Sequence, residues 1–77
     1  MKYDQEADFR GLECPLPILR SKKVIAGMKA GEVLHVMATD SGASKDFSAF
    51  SKVTGHAMLE SWEEAGVFHF VIQKRPD

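Results

Sequence analysis

A short β-rich run, Val33-Leu34-His35-Val36-Met37-Ala38, stands between two stretches whose apolar residues recur at helical spacing. No other feature narrows the possible folds as far. Upstream, from Pro15 to Met28, the residues Pro17, Ile18, Ser21, Val24, Ile25 and Met28 fall on one helical face, with Leu16, Leu19, Arg20 and Lys23 on the other. Downstream, Ala43, Phe47, Phe50 and Thr54 recur at the same spacing, opposite Lys45, Ser48 and Lys52. Within the run itself Leu34, Val36 and Ala38 share one side, as a central strand with one face on a core requires. Helices crossing over between parallel strands pack on the sheet, on one face by the handedness rule, which points to β-α-β crossovers.

The punctuation agrees. Gly27 and Gly31 bracket the exit of the first helix, Asp40-Ser41-Gly42 ends the strand, and the hydroxyls from Ser41 to Ser44 offer caps for the second helix, which Gly55 stops. Residues 3–9 are polar and are assigned a strand on position alone. Residues 57–63 and 67–74 read as strands about a Glu64-Ala65-Gly66 turn, a hairpin. The expected order is β-α-β-α-β-β. That is an α+β fold, a two-layer α/β sandwich with a four-stranded mixed sheet and two helices on one face, and residues 1–77 are expected to form a single domain.

Composition sets bounds on function. A 77-residue chain buries only about 60% of the surface its unfolded form exposes, so its core is small. With one cysteine no internal disulfide is possible, which disfavours a stapled secreted protein and makes the cytoplasm the expected compartment. The stretch Met1-Lys2-Tyr3-Asp4-Gln5-Glu6 has no apolar character of a secretory signal, and no run reaches the length of a membrane span. A net charge of −1 gives no electrostatic drive towards nucleic acid or an anionic membrane.

The chemistry-bearing residue is Cys14, in the run Arg10-Gly11-Leu12-Glu13-Cys14-Pro15-Leu16-Pro17. A buried lone cysteine is an inert small hydrophobe in most settings, but this one is flanked by glycine and two prolines where a helix begins. Proline suits the first helical position, where its fixed φ fits and its missing N–H goes unmissed. The expected arrangement has Cys14 as the N-cap, Pro15 first and Pro17 third. Amides of the first turn, Leu16 and Ile18 among them, and the helix dipole then favour the thiolate, which is the nucleophile.

These residues resemble the TusA/SirA-like sulfur carriers, whose mark is an Asp, a Gly-Leu pair and Cys-Pro-x-Pro near the N-terminus; here Asp8, Gly11-Leu12 and Cys14-Pro15-Leu16-Pro17. The resemblance continues through Ala30-Gly31-Glu32, Asp40, Lys45-Asp46 and Thr54-Gly55-His56. It departs at Ala30, where proline is frequent, and at Thr39-Asp40, which carries one carboxylate where some members have two. It implies a small cytoplasmic sulfurtransferase in which Cys14 accepts sulfane sulfur as a persulfide and transfers it, without cofactor or metal. It also implies protein partners: a donor such as a cysteine desulfurase or a rhodanese, and an acceptor serving tRNA 2-thiolation, molybdenum-cofactor sulfur supply or sulfur-compound oxidation. Asp8, Gly11, Pro15 and Pro17 would support the cysteine.

A carrier without a second thiol cannot discharge internally, so it needs a docking surface. Leu16 and Leu19 beside Arg20 and Lys23 form the expected one, with Arg10 and Asp40 as further contacts. His35 and His69 are expected to share the uncovered sheet face without completing a metal site, and Trp62 reads as packing or an edge contact. Two other readings use the same residues differently. One is a non-catalytic regulatory or RNA-binding interaction module of the same fold, and the other a one-cysteine peroxide sensor.

Overall fold

The computed structural model describes residues 3–13 and 15–76. The chain runs β1 (Gln5–Phe9), α1 (Leu16–Ala26), β2 (Val33–Ala38), α2 (Ala43–Thr54), β3 (Ala57–Glu64) and β4 (Val67–Gln73), the order expected from periodicity. The four strands form one sheet in the order β1-β2-β4-β3. β1 pairs parallel with β2, and β4 runs antiparallel to both β2 and β3. The crossover through α2 therefore passes over β4, leaving a slot that the hairpin strand fills on its return.

One face of this sheet carries the core. Leu34, Val36 and Ala38 of β2, Phe70 and Ile72 of β4, and Ala7 and Phe9 of β1 meet Ile25 and Met28 from the first helical segment and Ala43, Phe47 and Phe50 of α2. Phe47 is fully buried and stacks on Phe70 with ring centroids 4.5 Å apart, while Phe50 meets it edge-on at 6.1 Å. Aromatic pairs in these geometries add to simple area burial. Ser21 lies at the same interface, fully buried, and among the described residues its Oγ has no hydrogen-bond partner.

One helix start and one helix cap differ from the sequence reading. α1 begins one residue later than expected: Pro15 is the N-cap (φ −99°, ψ 17°), and Pro17 occupies the second helical position. The cause is a tight turn. Leu16 donates its N–H to the Glu13 carbonyl at 2.8 Å, and Pro15 has the dihedrals of the third residue of such a turn. The helical ladder opens with Leu19 donating to Pro15. The expected N-cap, Cys14, lies outside the described residues. At α2 the cap is Gly42 with no side-chain hydroxyl bond; the Asp40 carboxylate accepts the Gly42 N–H at 3.0 Å in place of the expected serine cap. Two further predictions match. Gly55 ends α2 in the left-handed region, with φ 82°. The β3–β4 hairpin closes on a two-residue loop in which Ala65 and Gly66 both have positive φ, the combination a type I′ turn requires.

Candidate functional site

The segment from Asp8 to Leu19 leads from the end of β1 into α1. At its start the Arg10 guanidinium grips the Asp8 carboxylate as a fork, Nε to Oδ1 at 2.8 Å and Nη2 to Oδ2 at 2.7 Å, and the Arg10 N–H adds a third bond at 3.1 Å. The Arg10 side-chain bond, then its backbone bond, lowers the Asp8 carboxyl from 3.8 to about 2, and the carboxylate raises Arg10 in turn. Gly11 follows with φ 85° and donates its N–H to Thr39 Oγ1 at 2.9 Å. A side chain at that φ would be strained. The loop is thus tied to the end of β2, beyond Ala38, by a glycine contact.

Two depressions border this loop. One, of about 390 Å³, is lined by Gly11, Leu12, Glu13, Thr39, Asp40 and Ser41. The other, of about 340 Å³, is an apolar groove between α1 and α2 whose walls include Pro15, Ile18, Phe50 and Val53, with Lys22 and Asp46 at its polar margin. The residues on either side of position 14 each line one of them. Cys14 itself lies outside the described residues, as the expectation of a poised thiolate does with it.

The other expected site residues divide. Leu16 and Leu19 are 41% and 52% exposed, and Arg20, Lys22 and Lys23 are exposed on the same helix, which has no acid. That surface is apolar and rimmed by positive charge. Arg10 and Asp40, expected as partner contacts, are engaged within the chain: Arg10 by Asp8, Asp40 by the start of α2. The Leu16 amide, expected to face the thiolate, is spent on Glu13. Pro17 has no N–H to give.

His35 and His69 share the open sheet face, as expected, and a contact the sequence reading missed joins them to β1. His35 Nδ1 lies 2.9 Å from Glu6 Oε2, and His35 Nε2 lies 2.9 Å from His69 Nδ1. The Trp62 ring lies parallel to His69 with centroids 4.7 Å apart, and Tyr3 covers His35 at 4.6 Å. The sequence carried no signal for this contact, because the pairing that sets Glu6 opposite His35 is fixed across the crossover and the polar β1 shows no period of its own. Among the described residues no group of three or more His, Cys, Asp or Glu is arranged to hold a metal ion.

Comparison with known proteins fits this geometry to one family. The family model described as "Sulfurtransferase TusA" matches residues 5–74. The sulfur carrier protein TusA of Allochromatium vinosum is 60% identical over 72 residues, covering 94% of this chain and 95% of that protein. The putative sulfur carrier protein YrkI of Bacillus subtilis is 46% identical over 74 residues, covering 96% of this chain and 99% of that one. Among solved structures, a SirA-like protein from Desulfitobacterium hafniense superposes with a TM-score of 0.81 at 24% identity, covering 94% of this chain and 99% of the other, a likeness of fold. With nearly the whole sequence matched, the chain belongs to the TusA family.

Proposed function

We propose that this chain is a sulfur carrier working as a sulfurtransferase together with partner proteins, and that residues 1–77 act as one unit. The observation that carries the reading is the Cys-Pro-x-Pro motif of a TusA-family chain at the entrance to α1, a helix bearing three cations and no acid. The Cys14 thiolate attacks the outer sulfur of a donor persulfide. A new S–S bond forms at Cys14 as the donor's S–S bond breaks, and the donor leaves as its own thiolate. Cys14 then holds an anionic persulfide, which the positive end of α1 favours. In the second step an acceptor thiolate takes the terminal sulfur and Cys14 departs as thiolate. No external oxidant or reductant enters, and Asp8, Gly11, Pro15 and Pro17 act by holding the loop and the helix entrance.

Donor and acceptor dock on α1, with Leu16 and Leu19 as the apolar centre and Arg20 and Lys23 as the rim, so acidic partner surfaces are favoured. A cysteine desulfurase or a rhodanese suits the donor role. The acceptor serves tRNA thiolation, molybdenum-cofactor sulfur supply or sulfur-compound oxidation. A lone thiol of this kind suits a reducing compartment, the cytoplasm, and no helix among the described residues is long and apolar enough to cross a membrane.

Intact-mass measurement after incubation with a cysteine desulfurase and cysteine tests the reading. Wild type gains one sulfur atom and Cys14→Ala gains none. Equal gain by both proteins overturns it, as does no gain by wild type from either a desulfurase or a rhodanese donor. The charge reversal R20E/K23E is expected to slow sulfur uptake about tenfold with an unchanged thermal midpoint, because two rim charges steer association more than they stabilise the fold.

A further inference from the structure

The near-neutral net charge hides a separation by layer. The four strands contain five acids, Glu6, Asp8, Glu60, Glu63 and Glu64, and no lysine or arginine; the two helices contain five lysines and arginines against one acid, Asp46. The helices cover one face of the sheet, and by register four of the five acids, Glu6, Asp8, Glu60 and Glu64, lie on the other, while Glu63 stands opposite Phe68 on the covered side. On the open face, register sets Glu60 beside Val71, His35 and Glu6 in one row, and Trp62 beside His69, Met37 and Asp8 in the next. Asp8 is neutralised by Arg10. Among the described residues no lysine or arginine forms an ion pair with Glu6, Glu60 or Glu64.

This face is not an unfinished apolar core. Val71 is fully buried and His35 is only 7% exposed, although both point to the uncovered side. They are sealed by the stacked rings of Tyr3, His69 and Trp62. What faces outward is the indole of Trp62, 36% exposed, between carboxylates on opposite margins of the sheet. Ring faces carry negative quadrupole density, and carboxylates add to it. Such a surface repels a second copy of itself, repels nucleic acid, and gives a lipid tail little to bury.

We propose that the open sheet face is a docking site for an arginine-bearing basic segment of a partner protein. One guanidinium stacks on Trp62 and others pair with Glu60 and Glu64 on β3 and with Glu6 on β1. β1 and β3 are separated by two intervening strands, so these carboxylates lie about 14 Å apart by ordinary strand spacing. A single small cation cannot engage both margins; a segment with several cations can. Arginine is favoured over lysine because its planar head stacks and forks at once. The site lies on the opposite side of the sheet from α1, so a partner held there leaves the entrance of α1 uncovered. The assignment is independent of the sulfur-carrier reading.

The test titrates the full chain, under reductant and at low salt, with a hexa-arginine peptide, following emission from Trp62, the sole tryptophan, and backbone amide shifts. Hexa-lysine, hexa-glutamate and a ten-nucleotide oligo-uridine serve as comparisons. The expected result is a saturable change at Trp62 with shifts at Glu6, Glu60 and Glu64, weaker binding of hexa-lysine, and none of hexa-glutamate or oligo-uridine. The exposed-site variant E60Q/E64Q should bind hexa-arginine about tenfold more weakly with its thermal midpoint kept. Unchanged affinity in that variant overturns the proposal. So do shifts confined to α1 and α2, tighter binding of oligo-uridine, or a Trp62 change that follows protein concentration without peptide and so reports self-association.

Discussion

The two faces of this sheet are built from the same four strands yet held by different physics. On the covered face, alternate residues of β1, β2 and β4 are apolar and meet two helices in dry contact. On the open face, the residues between them include Glu6, His35, His69 and Trp62, which seal the backbone with rings and hydrogen bonds and still face water. Burial is therefore not the mark of the core here, since Val71 and His35 are buried on the outer side. The lesson is that a small sheet with one layer of helices can protect its second face by stacking polar rings, and so keep charge available there.

The largest test of the contrast is Phe47→Ala. Phe47 is fully buried against Phe70 and Phe50, and removing such a ring costs about 3–5 kcal/mol from lost transfer energy and the cavity left behind. Much or all of the stability of a domain this small falls within that range, so urea unfolding should show a chain largely unfolded at room temperature. His35→Ala is the matching cut on the open face. It removes the bonds to Glu6 and His69 and the contacts with Tyr3 and Trp62, with an expected loss of about 1–3 kcal/mol and a shift in Trp62 emission. Were His35→Ala to cost as much as Phe47→Ala, the open face would be a second core and the contrast would be wrong.

Both faces were legible in the sequence to different depths. Alternation at Leu34, Val36 and Ala38 and helical spacing at Ala43, Phe47 and Phe50 reported the covered face directly, because dry packing demands a period that composition displays. The same parity set His35 and His69 on the other side. What the pattern did not carry was Glu6, since β1 is polar and its register with β2 is fixed by pairing across the crossover. At the candidate site, Leu16, Leu19, Arg20 and Lys23 fell where the helical wheel put them. The start of α1 moved by one residue because Leu16, whose amide has no helical acceptor in the first turn, closes a turn onto Glu13 that leaves Pro15 outside the helix, and periodicity is blind to such local turns. Asp40 was likewise read as a partner contact, yet its carboxylate accepts the Gly42 N–H in the turn just ahead of α2.

Ser21 sharpens the comparison from the covered side with a gain in stability. It falls on the core face of α1, fully buried, with Oγ unpartnered among the described residues. Burying an unsatisfied hydroxyl is unfavourable, and Ser21→Ala keeps nearly the same volume while improving helix propensity. The expected result is a gain of about 1 kcal/mol, read as a rise of about 4–8 °C in the thermal midpoint of a domain this size. A fall in the midpoint would mean that the hydroxyl has a partner, and that the covered face tolerates polarity as the outer one does.

The smallest expected effect belongs to the Asp8–Arg10 fork, at the end of β1 where the two faces meet. The fork lowers the Asp8 carboxyl to about 2 from an ordinary 3.8, so the folded chain holds this proton less readily than the unfolded one. Stability from the fork is then fully present above about pH 4 and is lost as the pH falls towards 2. Both side chains are about half exposed, so water and salt screen the pair and the contribution is modest. Urea midpoints of wild type and Asp8→Asn should differ slightly at pH 6, converge as the pH falls to about 2, and differ less at high salt at every pH. A difference that persists to the acid limit would show that Asp8 acts through its shape and its bond to the Arg10 N–H rather than through charge. The fork would then be a loop brace, fixing the path of the chain out of β1 rather than contributing through its charge.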